Sequence, residues 1–321
     1  MTISVIIATH NRRDLLNECL THLGGQSYLP GDELIVVNNG STDDSRDVIA
    51  GHARTFPVPL RYLEENEAGK SRAVAAALRV ATGDVLAFTD DDVNVDPSWL
   101  DAIRRVMTDP AITLMGGPVI PRWERRAPAW LRRAADSYGR LTAPIALLNF
   151  GTDVIDLGPR TVLGANLAVR RDVFVSVGGF APHLGKIRGT LLTGEDHELC
   201  RRVQAAGFRA VYCPDAQVRH WVPADRTRIR YYLSWFFWSG ITTAALDAEQ
   251  PRSGRSLLGV PLYLVKRGAA AAVGVVTAAV VGNATGAIER AIDVAFAAGY
   301  AARRWGLPMS RPSTTPAEGS S

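Results

Sequence analysis

A mostly parallel α/β sheet flanked by helices, with a helical C-terminal extension, is the fold this 321-residue sequence predicts. Three observations carry that expectation. Continuous β-branched runs of strand length stand at residues 3–8 (ISVIIA), 33–38 (ELIVVN) and 85–89 (VLAFT), too short for buried helices and without the alternation of half-exposed strands. Segments of helical periodicity alternate with them over the first 110 residues, as in strand–helix–strand units that close on one sheet. Hydrophobic residues at 47% and charged residues at 21% supply enough apolar side chain for one large core or two modest ones.

Taken in order, residues 12–23 bring Leu15, Leu16, Cys19, Leu20 and Leu23 to one helix face, and Gly24-Gly25 stops the helix. After the second strand, Asn39-Gly40-Ser41-Thr42-Asp43-Asp44-Ser45 supplies a turn and an N-cap for a helix to about residue 54. Residues 60–63 form a third strand, and Gly69-Lys70-Ser71-Arg72 leads into strong helix formers over 73–81. The fourth strand runs without a turn residue into Asp90-Asp91-Asp92, and Asp96 is suited to cap a helix starting near Pro97. Residues 113–117 predict a further strand, whereas 118–148, with Trp123, Trp130 and several prolines, read as a loop and short helices. A strand over 161–169 and a short helix over 171–177 come next. Gly194-Glu195-Asp196-His197-Glu198 opens another helix, followed by short strands at 210–213 and 217–220 and an aromatic helix over 227–247. Residues 269–281 are wholly apolar or small but only about 13 long, short of the ~20 that span a membrane, which predicts an interfacial or core helix. Residues 311–321 are Pro/Ser/Thr-rich and predicted to be disordered.

Right-handed crossovers place the carboxyl ends of parallel strands on one edge, where such sheets bind ligands. Residues 9–11, 38–41, 66–72 and 90–92 therefore share a rim. Three consecutive carboxylates held there raise one another's pKa and call for a cation. Hard oxygen ligands suit Mg²⁺ or Mn²⁺ together with substrate phosphates, while a solvated acidic loop is the plainer alternative. No GxGxxG is present, and Gly69-Lys70-Ser71 lacks the upstream glycine of a phosphate loop. His10, His22, His52, His183 and His197 are expected at surfaces or turns. Lys186 and Arg188, in a glycine-bearing loop ahead of Glu195, suit a lid or a solvated loop equally. Trp123 and Trp130 suit either stacking on a sugar or local packing.

The net charge of +4 is uneven: residues 252–321 hold eight Lys/Arg against three Asp/Glu, or +5, leaving −1 for the rest. A basic, apolar tail on a body without a basic stripe points to a membrane surface or a phosphorylated partner and away from nucleic acid. Cys19, Cys200 and Cys213 have no ligand spacing and are expected as reduced, buried thiols of a cytosolic protein. The N-terminus carries no signal-peptide pattern.

Ser4-Val5-Ile6-Ile7-Ala8-Thr9-His10-Asn11-Arg12, Val36-Val37-Asn38-Asn39-Gly40-Ser41-Thr42-Asp43, Phe88-Thr89-Asp90-Asp91-Asp92 and Gly194-Glu195-Asp196 follow in that order. With Gly164-Ala165-Asn166 and His220, the series resembles a family 2 glycosyltransferase of the GT-A fold over about residues 3–222. The resemblance implies inverting transfer of a sugar from a nucleoside diphosphate donor, expected to be a UDP-sugar, to a hydroxyl acceptor, with Mn²⁺ or Mg²⁺. It implies Asp92 on the metal, Asp90 on the ribose or a metal-bound water, and Asp91 beside them. Thr9, Asn11 and Asn39 would line the nucleoside pocket, Asn39 standing where the family often carries an Asp that accepts from the uracil imide. Arg72 resembles a nucleotide-side arginine, and His220 a residue that completes the metal shell. Asp196, with Glu195 beside it, is the candidate general base. The same two carboxylates would also complement a helix N-terminus.

The expected organisation is a catalytic domain over 1–225, an extension over 226–308 and a tail over 309–321. The nucleotide-sugar half of the catalytic domain covers about 1–117 and the acceptor half about 118–225. The extension, with Lys266, Arg267, Arg290, Arg303 and Arg304, suits a peripheral anchor on the cytoplasmic face of a membrane, a packed helical hairpin or a homodimer contact. The acceptor stays open among a glycan, a lipid-linked glycan and a small metabolite. Two other functions compete: a sugar-1-phosphate nucleotidyltransferase, which needs a cation-bearing loop after the first strand, and a non-catalytic membrane-associated nucleotide-binding protein.

Overall fold

The structure is a computed structural model, and it describes residues 1–180, 194–249 and 254–307. Lys186, Arg188, His183 and the tail from 309 lie outside the described residues.

In chain order the first elements are β1 (Ile3–Thr9), α1 (Arg13–Gly24), β2 (Glu33–Asn38), α2 (Ser45–Ala53), β3 (Leu60–Glu64), α3 (Lys70–Leu78) and β4 (Val85–Thr89). Strands β1 to β4 pair in parallel in the order β3-β2-β1-β4. Their β-branched residues are buried on both faces, as a parallel sheet covered by helices on each side requires. Helix α3 begins one turn earlier than the strong-former run suggested. Gly69, at φ 139°, breaks the chain there, and its carbonyl accepts from the N–H groups of Arg72 and Ala73.

The chain continues through β5 (Val93–Val95), α4 (Trp99–Met107), β6 (Ile112–Gly116), β7 (Val119–Trp123), α5 (Ala129–Ser137), β8 (Ile155–Asp156), β9 (Asn166–Arg170), α6 (Arg171–Ser176), α7 (Glu195–Ala205), β10 (Arg209–Tyr212) and β11 (Val218–Val222). The large sheet extends as β4-β9-β6-β10-β8, with β9 antiparallel to both β4 and β6. Its strand is shorter than the expected 161–169, because residues 161–165 turn onto the rim instead of pairing. Strands β5, β11 and β7 form a second sheet. Residues 118–148 are thus less irregular than expected, holding both β7 and α5. Asp96 does not cap α4: its side chain accepts from Gln217 at 2.6 Å and faces Arg219 at 3.5 Å.

Two compact units are distinguished. The first comprises the described residues of Met1–Glu124, Ala146–Gly185 and Gly194–Val222, and the second those of Arg125–Ile145 and Pro223–Ser321. Residues 125–145 therefore join the second unit, not the acceptor half expected over 118–225. That unit contains α5 together with α8 (Ile229–Glu249), α9 (Leu262–Val280) and α10 (Ala284–Arg304). Helices α8 and α10 cross closely because Gly240 sits against the Phe296 carbonyl and Gly299 against the Phe237 carbonyl, leaving no room for a Cβ at either. Trp130 packs edge-on to Tyr232 at 5.0 Å within the same unit.

Helix α9 corrects an expectation. Leu262–Val265 join the apolar run across Lys266 and Arg267, giving 19 residues in place of about 13, long and apolar enough to cross a membrane by length and composition. Only 11% of its most apolar window is buried, and Val273, Val276, Val280 and Val281 are 63–81% exposed.

The sheet is pinned at its lower end by a buried carboxylate. Glu33 accepts from Ser4 Oγ, Thr82 N and Thr82 Oγ1 at 2.7 Å each and pairs with Arg61 at 2.8 Å. Burial alone would raise its pKa, but these hydrogen bonds and the Arg61 charge outweigh it and hold the carboxyl below its ordinary value. With the folded pKa below the unfolded value of ~4.3, the stabilisation is complete above about pH 4.3 and is lost as pH falls through the folded pKa. Glu33→Gln should cost about 1.5–3 kcal/mol at pH 7. The gap between the melting curves of the two proteins should be full above about pH 4.3 and narrow as pH falls below it; a gap that stays unchanged down to the acid unfolding of the natural protein would refute this account.

Candidate active site

Strand order reverses between β1 and β4, since β1 leads outward to β2 and β3 while the chain returns to β4 on its other side. Open α/β sheets bind ligands at such a switch point, outside the strand carboxyl ends. Here the register fixes which residues meet. Ile6 lies opposite Phe88, so three residues on, Thr9 is level with Asp91, and Thr9 Oγ1 donates to Asp91 Oδ2 at 2.8 Å. The antiparallel pairing of Val93 with His220, and the bond from Trp221 N–H to the Asp92 carbonyl at 2.9 Å, carry His220 to the same place. His220 Nε2 stands 3.6 Å from Asp92 Oδ1, with both side chains 5% exposed or less.

The carboxylate triplet meets its cations from within the chain. Arg12 Nη1 donates to Asp91 Oδ1 and to Asp92 Oδ2, at 2.7 Å each, and Lys70 Nζ pairs with Asp90. The Asp91 and Asp92 side chains are only 6% and 5% exposed. Burial pushes the Asp91 pKa up, Arg12 opposes that, and Asp92 and Asp90 add to it, leaving a net rise. Arg12 and Lys70 in turn are held cationic: burial disfavours their charge, and the surrounding carboxylates more than compensate. The cation that the three carboxylates call for is thus met in part by Arg12 and Lys70 of the chain itself. Sequence reasoning gave neither residue a role, although Arg12 directly follows Thr9-His10-Asn11 and Lys70 opens α3 on the same rim.

Lys70 also joins the carboxylate triplet to the candidate base. Its charge interacts with Glu195 and Asp196 as well as Asp90. Because β9 runs antiparallel, its N-terminal approach, not its end, reaches the rim: Gly164 N–H donates to Asp196 Oδ2 at 2.8 Å. Asp196 Oδ1 accepts from His197 N–H at 2.8 Å and Glu195 Oε2 from Gly194 N–H at 3.1 Å. Both carboxylates thus serve the α7 N-terminus as well. Gly194, at φ 117°, makes the turn that presents them.

The three asparagines tie loops. Asn11, at φ 51°, accepts from Thr42 N–H at 2.7 Å, and its own N–H donates to Ser41 Oγ at 3.0 Å. Asn39 Nδ2 donates to the carbonyls of Glu65 and Glu67 at 2.9 and 2.8 Å, and its Oδ1 accepts from Gly69 N–H at 2.8 Å. Asn166 is buried, joins Trp99 Nε1 to the carbonyls of Pro118 and Ala216, and so locks β9 to the second sheet. Arg72 faces outward, 60% exposed, and pairs with Glu67. Cys19, Cys200 and Cys213 are free and buried as expected; burial pushes the Cys19 and Cys200 thiols up, Cys200 to about 12.

Among the described residues no group of three or more His, Cys, Asp or Glu is set to hold a metal. Asp92 and His220 offer one carboxylate and one imidazole, a donor pair that fits Mn²⁺ or Mg²⁺ whose other ligands come from substrate phosphates.

The family model for glycosyl transferase family 2 matches residues 4–177, more than half of the chain. The glucosyl-dolichyl phosphate glucuronosyltransferase of Haloferax volcanii is 26% identical over 264 residues, 79% of this chain and 80% of that protein. The succinoglycan biosynthesis protein ExoM of Rhizobium meliloti is 28% identical over 269 residues, 83% of this chain and 82% of that one. Among solved structures, mannosyltransferase PcManGT from Pyrobaculum calidifontis, in complex with GDP-Man and Mn²⁺, superposes with a TM-score of 0.65. That match covers 95% of this chain and 88% of the other at 22% identity, and it establishes the GT-A fold.

Two glycines near Asp196 should respond oppositely to alanine. Gly194→Ala forces a side chain into a left-handed backbone, at about 1–3 kcal/mol, and should lower the melting temperature by several degrees. At Gly164 a methyl would make ordinary contact with Asp196 Cβ at 3.5 Å, so Gly164→Ala should leave the melting temperature nearly unchanged. Thermal scans of both variants test this; equal losses would contradict it.

Proposed function

The chain belongs to glycosyl transferase family 2, and from that premise we propose that it moves a sugar, with inversion, from a nucleoside diphosphate donor to a hydroxyl group, with Asp196 as general base. The observation that supports this best is Lys70, whose ammonium interacts at once with Asp90 on the donor side and with Glu195 and Asp196 on the acceptor side. A donor diphosphate near Asp90 to Asp92 and an acceptor hydroxyl near Asp196 would then lie on opposite sides of one sugar ring, as inversion requires.

In that arrangement Thr9 and Arg12 hold Asp91, Arg12 also holds Asp92, and Lys70 orients Asp90. Asp92 and His220 would hold the metal. What a divalent ion supplies there is neutralisation of the charge that develops on the departing diphosphate. One carboxylate oxygen of Asp196 takes the acceptor proton while the Gly164 and His197 N–H groups keep the carboxylate oriented. Asn39 holds the 65–69 loop over the nucleoside side, and we leave the donor base to be identified by binding. The nucleotidyltransferase alternative loses support because the glycosyl transferase family 2 model matches residues 4–177.

Asp196→Asn should lower kcat about 10²- to 10⁴-fold, the range for a positioned base, with donor binding unchanged. Asp92→Ala should instead abolish the metal-dependent thermal shift produced by the matching nucleoside diphosphate, among UDP, GDP and others. Full turnover by Asp196→Asn would remove the base assignment.

The acceptor is proposed to be a glycan assembled at a membrane, on the cytoplasmic face. Support comes from the relatives named above, one acting on a dolichyl phosphate-linked sugar and one in succinoglycan biosynthesis, and from the exposed valines of α9 and its C-cap, a patch of the kind that marks an interaction surface. The full-length protein should float with vesicles containing anionic lipid, and Val276→Glu with Val280→Glu should release it. If it floats with no vesicle and sediments as a dimer that these substitutions split, a second copy covers this face instead.

A further inference from the structure

Arg12 stands beside the carboxylate that would hold a divalent cation: it takes Asp92 Oδ2, while Asp92 Oδ1 faces His220. One nitrogen, Nη1, bridges Asp91 Oδ1 and Asp92 Oδ2 at 2.7 Å, and the guanidinium is one-third exposed while both carboxylates are almost fully buried. Its backbone is fixed. The Arg12 carbonyl accepts from Leu16 N–H at 2.9 Å, and the preceding Asn11 is clamped between Ser41 and Thr42. The side chain is therefore the part of Arg12 that can move, and its exposed side is the route out.

Formal charge gives the consequence. Asp91 and Asp92 carry −2 and Arg12, which bridges them, returns +1, so the bridged pair stands at −1. A bare divalent ion at Asp92 Oδ1 and His220 meets a carboxylate already paired with a guanidinium, so it gains less from that charge and is repelled by the Arg12 cation. A diphosphate changes both terms. It brings oxygens to the metal, and it offers the displaced guanidinium a bidentate partner in place of the carboxylates.

We infer that Arg12 is a resident counter-ion that closes the Asp91–Asp92 site to a bare divalent cation and opens it to a cation carried with a nucleoside diphosphate. Metal and nucleotide then bind with positive coupling, each tightening the other by the same factor. The inference rests on the donor-site reading given under Proposed function, and Arg12 acts in it as a positioning residue.

The test is the affinity of full-length protein for Mn²⁺, read from the electron paramagnetic resonance signal of free Mn²⁺, with and without the nucleoside diphosphate found by thermal shift. For the natural protein the nucleotide should tighten Mn²⁺ by about tenfold or more. Arg12→Gln should bind bare Mn²⁺ about tenfold or more tightly than the natural protein, with most of the coupling gone. Its melting temperature should be lowered in chelator and recovered by Mn²⁺ alone. If Arg12→Gln cannot be purified, the comparison is made between Asp91→Asn and Asp91→Asn/Arg12→Gln, where one buried charge fewer is left to balance. The double variant should again take bare Mn²⁺ more tightly. If Arg12→Gln binds Mn²⁺ no better than the natural protein, and the natural protein still shows coupling, the inference is overturned and the donor site stands. If neither protein takes Mn²⁺ or nucleotide under any condition, the donor site itself is refuted and the inference falls with it.

Discussion

Three adjacent carboxylates at the end of a buried strand are the constraint around which the first unit is arranged. Asp91 and Asp92 are almost excluded from water, and like charges so placed cannot persist without cations or protons. Each neighbouring element answers that need from its own end. Strand β1 ends in Thr9, which donates to Asp91, and α1 begins beside Arg12, which bridges Asp91 and Asp92. Helix α3 begins with Lys70 on Asp90, and β11 brings His220 to Asp92. The breaking of one such buried pair typically costs about 3–5 kcal/mol, so these contacts stabilise the sheet edge only as a set. Their arrangement follows from one register, Ile6 against Phe88, which makes the strand pairing and the site a single structural fact.

Polar side chains around this edge act mostly on backbone. Asn11, Asn39 and Asn166 each satisfy main-chain groups in loops that have no ladder to join, Asn11 at the surface and the other two as buried amides must. Asn39 is the instructive case. Its amide spans the 65–69 loop with three hydrogen bonds, one of them to the N–H of Gly69, the residue that starts α3. A change at Asn39 therefore reaches Lys70 through the helix start before it reaches any ligand.

The parallel strands were legible because their signal is local: short, largely apolar runs of five to seven residues, ISVIIAT, ELIVVN and VLAFT, admit little else. The rim was legible for the same reason, since parallel connection alone sends Thr9, Asn39 and Asp90 to one edge. Strand β5 was not legible. Three residues, Val93–Val95, have no pattern of their own and become a strand only when β11 arrives from more than 120 positions away. The antiparallel course of β9, which decides that Gly164 and not Arg170 meets Asp196, is likewise set by tertiary pairing. Arg12 and Lys70 look in sequence like ordinary surface cations at helix starts. Only the carboxylates folded against them distinguish them from the other basic side chains. Helix α9 was shortened by Lys266 and Arg267, which interrupt the apolar run in sequence but not in the helix.

Those two residues also set what the basic tail can contribute. Arg267 is committed to Asp293, which Arg140 shares, and Arg304 donates to the Gly259 carbonyl. That leaves Lys266, Arg290 and Arg303 of the five basic residues flanking the apolar segment without such a commitment among the described contacts. At about 1 kcal/mol each near an anionic surface, three charges give weak, salt-sensitive attraction. The valine face of α9 must then provide most of the binding energy. At ~25 cal/mol per Å² a few hundred Å² of apolar surface is enough to exceed the electrostatic part. The membrane contact proposed above, if made, should accordingly survive salt better than charge counting in the sequence suggests, because burial of apolar side chains does not depend on screening.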